Sequence, residues 1–111
     1  MGLVNGAAMC RAGGVPLDLF MKFEDKTNGV ILSEKKRLLE AIMDGRTEET
    51  QASIKAWREG NQALVSVAAS LGTNLILQNT LQAVFQEARR QGFDAHDVAA
   101  LVDVFDPGSK A

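Results

Sequence analysis

The sequence has few of the residues that most small catalytic sites need. Its 111 residues include one histidine, His96, and one cysteine, Cys10. A single histidine excludes a multi-histidine metal centre, and a single cysteine excludes an internal disulfide. Because free cysteine is typical of a reducing compartment, we expect a cytoplasmic protein. We interpret Cys10 as a small core residue and His96 as a solvent-facing side chain, so neither is assigned a metal or a catalytic role.

Long apolar runs, basic stripes and phosphate-binding loops are also missing. No stretch reaches the roughly 18 apolar residues of a membrane span. The net charge is −2, and acidic and basic residues are mixed along the chain, so nucleic-acid binding has no support. Gly13-Gly14 follows a predicted helix instead of a strand, which is the wrong context for a phosphate loop. Arg11 follows the N-terminal apolar stretch, whereas a signal peptide carries its charge first.

Apolar residues recur at helical spacing along most of the chain. They make up 46% of the sequence, which is enough for the core of one small domain. In the first half, the pattern predicts an N-terminal helix ending at Gly13-Gly14, a short helix from Pro16 to about Asp25, a turn at 27–29, an extended piece at 30–32, and a helix capped by Ser33 and ended by Gly45. We therefore predict an all-α fold, a single bundle of five or six helices over residues 1–111.

The second half is predicted to contain a long central helix and a closing helix pair. Thr47 is the expected N-cap of the central helix, which runs to about Leu71. A helix closed by Gly92 follows, and then a last helix with Asp94 as cap and Asp97 at its third position. The expected inward positions of the central helix, spaced three and four residues apart, are Ile54, Trp57, Asn61, Leu64, Ala68 and Leu71.

Two residues of the central helix are candidates for a binding role. Asn61 is the one polar member of the inward stripe, and such a residue either specifies helix pairing or faces a ligand cavity. Trp57 lies one turn earlier and either packs in the core, which we favour, or forms a wall of that cavity.

Gly60, beside Asn61, weakens a helix interior by about 1 kcal/mol relative to alanine. We therefore expect either a close packing partner at Gly60 or a local bend. The acidic residues Glu48, Glu49 and Glu59 are interpreted as a solvated helix face.

Three stretches resemble one known domain. Residues 3–16, LVNGAAMCRAGGVP, resemble the end of a long interdomain helix and its turn. Residues 68–72, AASLG, resemble the end of a central helix, and ARRQG at 88–92 with DVAAL at 97–101 resembles a closing helix pair. The domain is the C-terminal helical domain of the β-hydroxyacid dehydrogenases, the group of 3-hydroxyisobutyrate and 6-phosphogluconate dehydrogenases. Glu59-Gly60 replaces the Lys-Asp pair of many dehydrogenases, which favours the imine reductase branch.

This resemblance implies a substrate and dimerisation domain of an NAD(P)-dependent oxidoreductase. NADP or NAD would bind to a Rossmann domain ahead of Met1, and none is expected to bind to this chain alone. The family's catalytic lysine or proton donor would also lie upstream, so no catalytic or cofactor-binding residue is assigned here. The expected partners are a small-molecule carbonyl or imine substrate and a second copy, in a homodimer of interleaved helices.

The resemblance also places the substrate cleft along residues 57–62. Trp57 would form an apolar wall, and Asn61 or Gln62 would orient a polar group of the substrate. The alternative function is a free-standing, non-catalytic helical module that binds a ligand or a partner. The two hypotheses differ in what precedes Met1, since only the first expects a strand followed by Gly-x-Gly-x-x-Gly.

Overall fold

Five α-helices and one 3-10 turn make up the parts of the chain that the structure describes, residues 2–48 and 52–107. In this computed structural model, a single bridge between Ser53 and Asp97 is the β-pairing among those residues. The prediction of an all-α fold with five or six helices is confirmed. The elements are α1 (Gly2–Ala12), α2 (Leu17–Asp44), α3 (Ile54–Ser70), α4 (Ile76–Arg90), the 3-10 turn (Val98–Ala100) and α5 (Leu101–Phe105).

The helix ends predicted from glycine are where the structure places them. Gly45 follows α2 with φ 67°, and Gly92 follows α4 with φ 89°. Both values lie in the left-handed region, where a Cβ atom is costly and glycine is preferred. At the end of α2, the Arg46 amide donates to the Ala41 carbonyl at 3.0 Å, which satisfies one of the last unpaired carbonyls.

The predicted turn in the middle of α2 is wrong. Residues 17–44 form one helix of 28 residues, so the turn at 27–29, the extended piece at 30–32 and the cap at Ser33 are all absent. Thr27 turns its hydroxyl back into the helix, where it donates to the carbonyls of Phe23 at 3.1 Å and Glu24 at 3.2 Å. Once a helix is nucleated on both sides, a short weak segment costs less than breaking the hydrogen-bond ladder.

Gly29→Ala should stabilise α2. Gly29 lies within α2, and apart from the neighbouring helix backbone no described atom lies within 4 Å of the position its Cβ would take. The substitution therefore adds helix propensity without a clash, and we expect a gain of about 0.5–1 kcal/mol. Thermal unfolding followed by circular dichroism at one fixed protein concentration measures it. A loss of stability would show that this turn of α2 is packed against something the single chain lacks.

Two further predicted helix starts are corrected. Helix α3 begins at Ile54 and not near Thr47, because Ser53 is its N-cap and accepts from the Ala56 amide at 3.2 Å. Thr47 instead accepts from the Asp97 amide at 2.7 Å through its own carbonyl. Glu48 precedes the helix, and Glu49 lies outside the described residues.

The closing segment starts three residues later than predicted. Asp97, not Asp94, is the N-cap, and its carboxylate accepts from the Ala99 amide at 2.9 Å. The element it caps is the 3-10 turn that leads into α5, so Asp97 does not occupy a third helical position. Asp94 is engaged elsewhere, by an arginine of α3.

The core lies at one end of the molecule, between α3, α4 and the closing segment. Its buried cluster consists of Ile54, Phe85, Ala88 and Ala100, with Phe93, Leu101 and Val104 packed against it. By contrast, no described residue of α1 or α2 is fully buried. The helical spacing of Leu38, Leu39, Ile42 and Met43 predicts a buried face here. That prediction is wrong for the single chain, in which Leu39, Ile42 and Met43 are exposed.

The chain is extended for its size. Its radius of gyration is 15.6 Å, and its principal extents are 49 × 29 × 21 Å. A compact domain of this length has a radius of gyration of about 13 Å. No helix in the described parts combines the length and the apolar character that crossing a membrane requires.

Candidate functional site

An apolar groove of about 660 Å³ lies between four elements of the fold. Its walls come from α2, α3, α4 and the closing segment, so residues far apart in sequence meet there. Helix α2 contributes Glu34 and Leu38, and α4 contributes Leu81 and Phe85. The remaining lining residues are Ala52 just before α3, Ala56, Trp57, Gly60, Asn61 and Leu64 of α3, and Val98 and Leu101 of the closing segment. This groove is the candidate binding site, and it contains two of the three cleft residues predicted from sequence.

Trp57 is on the wall of the groove and not in the core. Its side chain is 48% exposed, as is that of Leu64 two turns later, so both predicted inward positions are wrong for the single chain. The buried positions of α3 are instead Ile54, Arg58, Asn61 and Ala68. The groove therefore presents a large flat aromatic surface to whatever enters it.

Asn61 joins α3 to α4 beneath the groove. It is 5% exposed, and its Nδ2 donates to the Gln78 carbonyl at 3.0 Å and to Gln82 Oε1 at 2.9 Å. The backbone carbonyl can only accept, so the nitrogen must face it, and this fixes the orientation of the amide. Its Oδ1 is buried without a hydrogen-bond partner among the described residues. The donor half of Asn61 thus sets the pairing of the two helices.

Gln78 extends this buried polar layer towards α1. It is 3% exposed, and its Nε2 lies 3.8 Å from the thioether sulfur of Met9, which Asn5 Nδ2 also approaches at 3.8 Å. Gln78 Oε1, like Asn61 Oδ1, has no partner among the described residues. Gln62, the third predicted cleft residue, is exposed and does not line the groove.

Two arginines form three ion pairs among the elements around the groove. Arg58, 8% exposed, donates from Nε and Nη2 to the carboxylate of Asp94 at 3.2 and 3.1 Å. This hydrogen bonding keeps the pKa of Asp94 below its ordinary value. Arg37 of α2 donates from Nη1 to Asp97 at 3.1 Å and from Nε to Glu34 at 2.9 Å. The Arg37 guanidinium lowers the pKa of Glu34, so the groove edge keeps an ionised but neutralised carboxylate.

Sequence reasoning missed both arginines. The partners that tie them to other elements, Asp94 and Asp97, lie 36 and 60 residues away, beyond any local pattern. A signal for Arg58 was nevertheless present, because it is four residues after Ile54 and three before Asn61, on the same helical stripe. A charged residue at such a position indicates a buried partner.

The single histidine, His96, and the single cysteine, Cys10, do not form a site. His96 is half-buried and not solvent-facing as expected; its ring packs edge-on against Phe93, with centroids 5.3 Å apart. Cys10 is half-buried on α1 instead of lying in the core. Within residues 2–48 and 52–107, no group of three histidine, cysteine, aspartate or glutamate side chains could hold a metal ion.

The arrangement of helices matches solved enzyme structures. An imine reductase from Myxococcus stipitatus in complex with NADP+ matches 91% of this chain with 24% identity and a TM-score of 0.84. An imine reductase from Pseudomonas sp. matches 94% with 15% identity and a TM-score of 0.86. A reductive aminase from Aspergillus terreus, in complex with NADPH4, cyclohexanone and allyl amine, matches 94% with 18% identity and a TM-score of 0.85.

This chain has the fold of the C-terminal helical domain of the imine reductases. The resemblance and the fold class predicted from sequence are confirmed at that level. The chain spans 36–38% of the length of these imine reductases and reductive aminases. Neither a family model nor a curated protein matches the sequence. At these identities the matches show the fold alone.

Proposed function

We propose that this chain is the helical substrate and dimerisation domain of an NAD(P)-dependent oxidoreductase of the imine reductase or hydroxyacid dehydrogenase type. The match of its fold, over more than nine tenths of the chain, to enzymes solved with NADP+ or NADPH supports the proposal. Fold alone does not carry an activity, so the proposal also rests on the groove. A separate cofactor-binding domain would supply the nucleotide, and a small carbonyl compound or imine would be the substrate.

The cofactor does not fit the residues of this chain alone. The described residues form helices without a strand-to-helix turn, and such a turn is what cradles a dinucleotide pyrophosphate. NADP or NAD would supply the hydride from its own domain. The role left to this chain is to bind the substrate, orient it and exclude water.

The groove suits that role. Trp57 and Leu64 offer apolar surface, and Asn61 closes the floor while holding α3 to α4. The one carboxylate on the lining, Glu34, is tied to Arg37 and is not available as an acid or base. Gln62 does not line the groove, so it would meet a substrate only if the cleft extends around α3 between the two domains.

Binding of an imine to the groove should change the fluorescence of Trp57. Trp57 is the only tryptophan, so selective excitation reports this wall and nothing else. We expect a saturable change when a saturated cyclic imine is titrated into the chain, because the ligand displaces water from the exposed indole face. NADPH added alone should give no heat in a calorimetric titration, since its site lies on the other domain.

Leu81→Arg is the blocking variant and Ile76→Arg is its control. Leu81 lines the groove, whereas Ile76 is on the same helix, exposed and outside it. The fluorescence change should disappear in the first variant and persist in the second. Tight NADPH binding by this chain would contradict the proposal that the cofactor binds to another domain. Absence of any imine response would favour the alternative, a non-catalytic helical module.

A further inference from the structure

The thioether sulfur of Met9 is approached by two side-chain amides. Asn5, one turn earlier on α1, donates from Nδ2 to the sulfur at 3.8 Å, and Gln78 of α4 donates to it from Nε2 at the same distance. Gln78 is 3% exposed, so its amide has exchanged water for this contact. A thioether sulfur is a weak acceptor. Two good donors therefore share an acceptor that is too weak to match them.

The buried amide of Gln78 is incompletely hydrogen-bonded on its other side as well. Its Oε1 has no hydrogen-bond partner among the described residues. A buried amide without strong partners costs stability, and such a group in a folded protein calls for an explanation, which can be a redox role. The donor side of Gln78 already faces an atom whose chemistry can change, because sulfur is the one oxidisable element of a methionine side chain.

Oxidation of Met9 by hydrogen peroxide would supply the missing strong acceptor. A sulfur lone pair attacks one oxygen of the peroxide, the O–O bond breaks and an S–O bond forms. The sulfur loses two electrons, the peroxide is reduced, and the departing hydroxide takes up the proton of the transferred oxygen and leaves as water. The product is a sulfoxide, a polar group. Its oxygen is bonded to the atom on which both N–H groups converge.

We propose that Met9 is a site of peroxide oxidation whose sulfoxide accepts hydrogen bonds from Asn5 and Gln78, so that oxidation fastens α1 to α4. Methionine oxidation ordinarily disrupts packed structure, and the opposite sign is expected here because two donors are already in place. Met9 is half-buried, which leaves its sulfur within reach of a molecule as small as peroxide. The Gln78 carbonyl also accepts from Asn61 Nδ2 at 3.0 Å, which connects this layer to the groove.

Thermal unfolding before and after peroxide treatment tests the sign of the effect. The Cys10→Ala protein, which cannot form oxidised thiols, is compared with the same protein carrying Met9→Leu. Met21 and Met43, 61% and 79% exposed, are oxidised in both, so any difference belongs to Met9. Peptide mass mapping confirms one added oxygen at each methionine. Oxidation should raise the midpoint in the Met9 protein by about 4 °C relative to the Met9→Leu protein.

Variants that remove one donor at a time separate this role from a general effect of oxidation. With Gln78→Leu, oxidation of Met9 should lower the midpoint, because the half-buried sulfoxide then lacks a donor. Asn5→Leu leaves Gln78 in place and should reduce the rise by about half. Only the change on oxidation is compared, at one fixed protein concentration, so the starting stability of each variant does not enter.

Three results would overturn the proposal. The first is an unmodified Met9 after complete oxidation of Met21 and Met43. The second is a midpoint that falls on oxidation relative to the Met9→Leu protein. The third is an undiminished rise in both donor variants. None of these results bears on the imine titration, so this proposal and the proposed function stand or fall separately.

Discussion

Ile54→Ala should destabilise the chain by about 3 kcal/mol. Ile54 has no exposed surface and packs against Phe85, Ala88 and Ala100. Two of these neighbours are alanines, which have no side-chain freedom to move into the cavity. Since a domain of this size is stabilised by about 5–15 kcal/mol in all, the loss is a large share of the total.

Urea unfolding at one fixed protein concentration measures this effect, because a dimer makes apparent stability depend on concentration. Ile76→Ala is the matched control. It makes the same chemical change on a side chain that is 71% exposed, so it should stay within about 0.5 kcal/mol of the wild type. Equal losses in the two variants would mean that the cluster around Ile54 is not the main core.

The sequence pattern of α3 predicted a helix correctly and three of its buried positions, Ile54, Asn61 and Ala68, but it wrongly added Trp57 and Leu64 and missed Arg58. Spacings of three and four residues allow either Trp57 or Arg58 to be the next inward residue after Ile54. Trp57 is the more apolar choice between Ile54 and Asn61, yet Arg58 is the residue that is buried there. Burial of Arg58 depends on Asp94, 36 residues later. A local stretch of sequence cannot show that a charge is paired with a residue 36 positions away.

The apolar pattern of α2 predicted a buried face that the single chain does not have. Periodicity shows that Leu39, Ile42 and Met43 belong to a face that has to be covered. It does not show which chain covers it, and in the single chain all three are exposed. The groove could not be predicted for a related reason, since its walls come from four elements whose mutual positions are set by long-range contacts.

The two roles weighed for Asn61, helix pairing and ligand contact, are connected in the structure. Its Nδ2 is committed to two acceptors on α4, Gln78 and Gln82. These bonds fix the distance between the walls of the groove, one formed by Trp57 and the other by Leu81. Asn61 would therefore affect a bound ligand by positioning the walls of the groove. Its contribution to the stability of the fold can be measured without knowing the ligand.

Asn61→Asp should cost about 3 kcal/mol at neutral pH. The substitution keeps the shape of the side chain but turns a donor into a carboxylate oxygen that faces the Gln78 carbonyl and Gln82 Oε1. Burial and these acceptors raise the pKa of the new carboxyl in the folded state above its unfolded value of about 3.9. The variant is therefore closest to the wild type below pH 4, and its deficit grows as the pH rises until the folded-state pKa is passed.

Asn61→Leu and Gln62→Asp complete this test. Leucine removes both hydrogen bonds without adding a charge, so we expect a loss of about 1–2 kcal/mol that does not depend on pH. Gln62 is exposed on the same helix, and an aspartate there should change stability by less than about 0.5 kcal/mol at any pH. Urea unfolding of the four proteins at pH 4 and pH 7 separates these outcomes. If Asn61→Leu were more stable than the wild type, the two bonds to α4 would not be what holds the groove walls together.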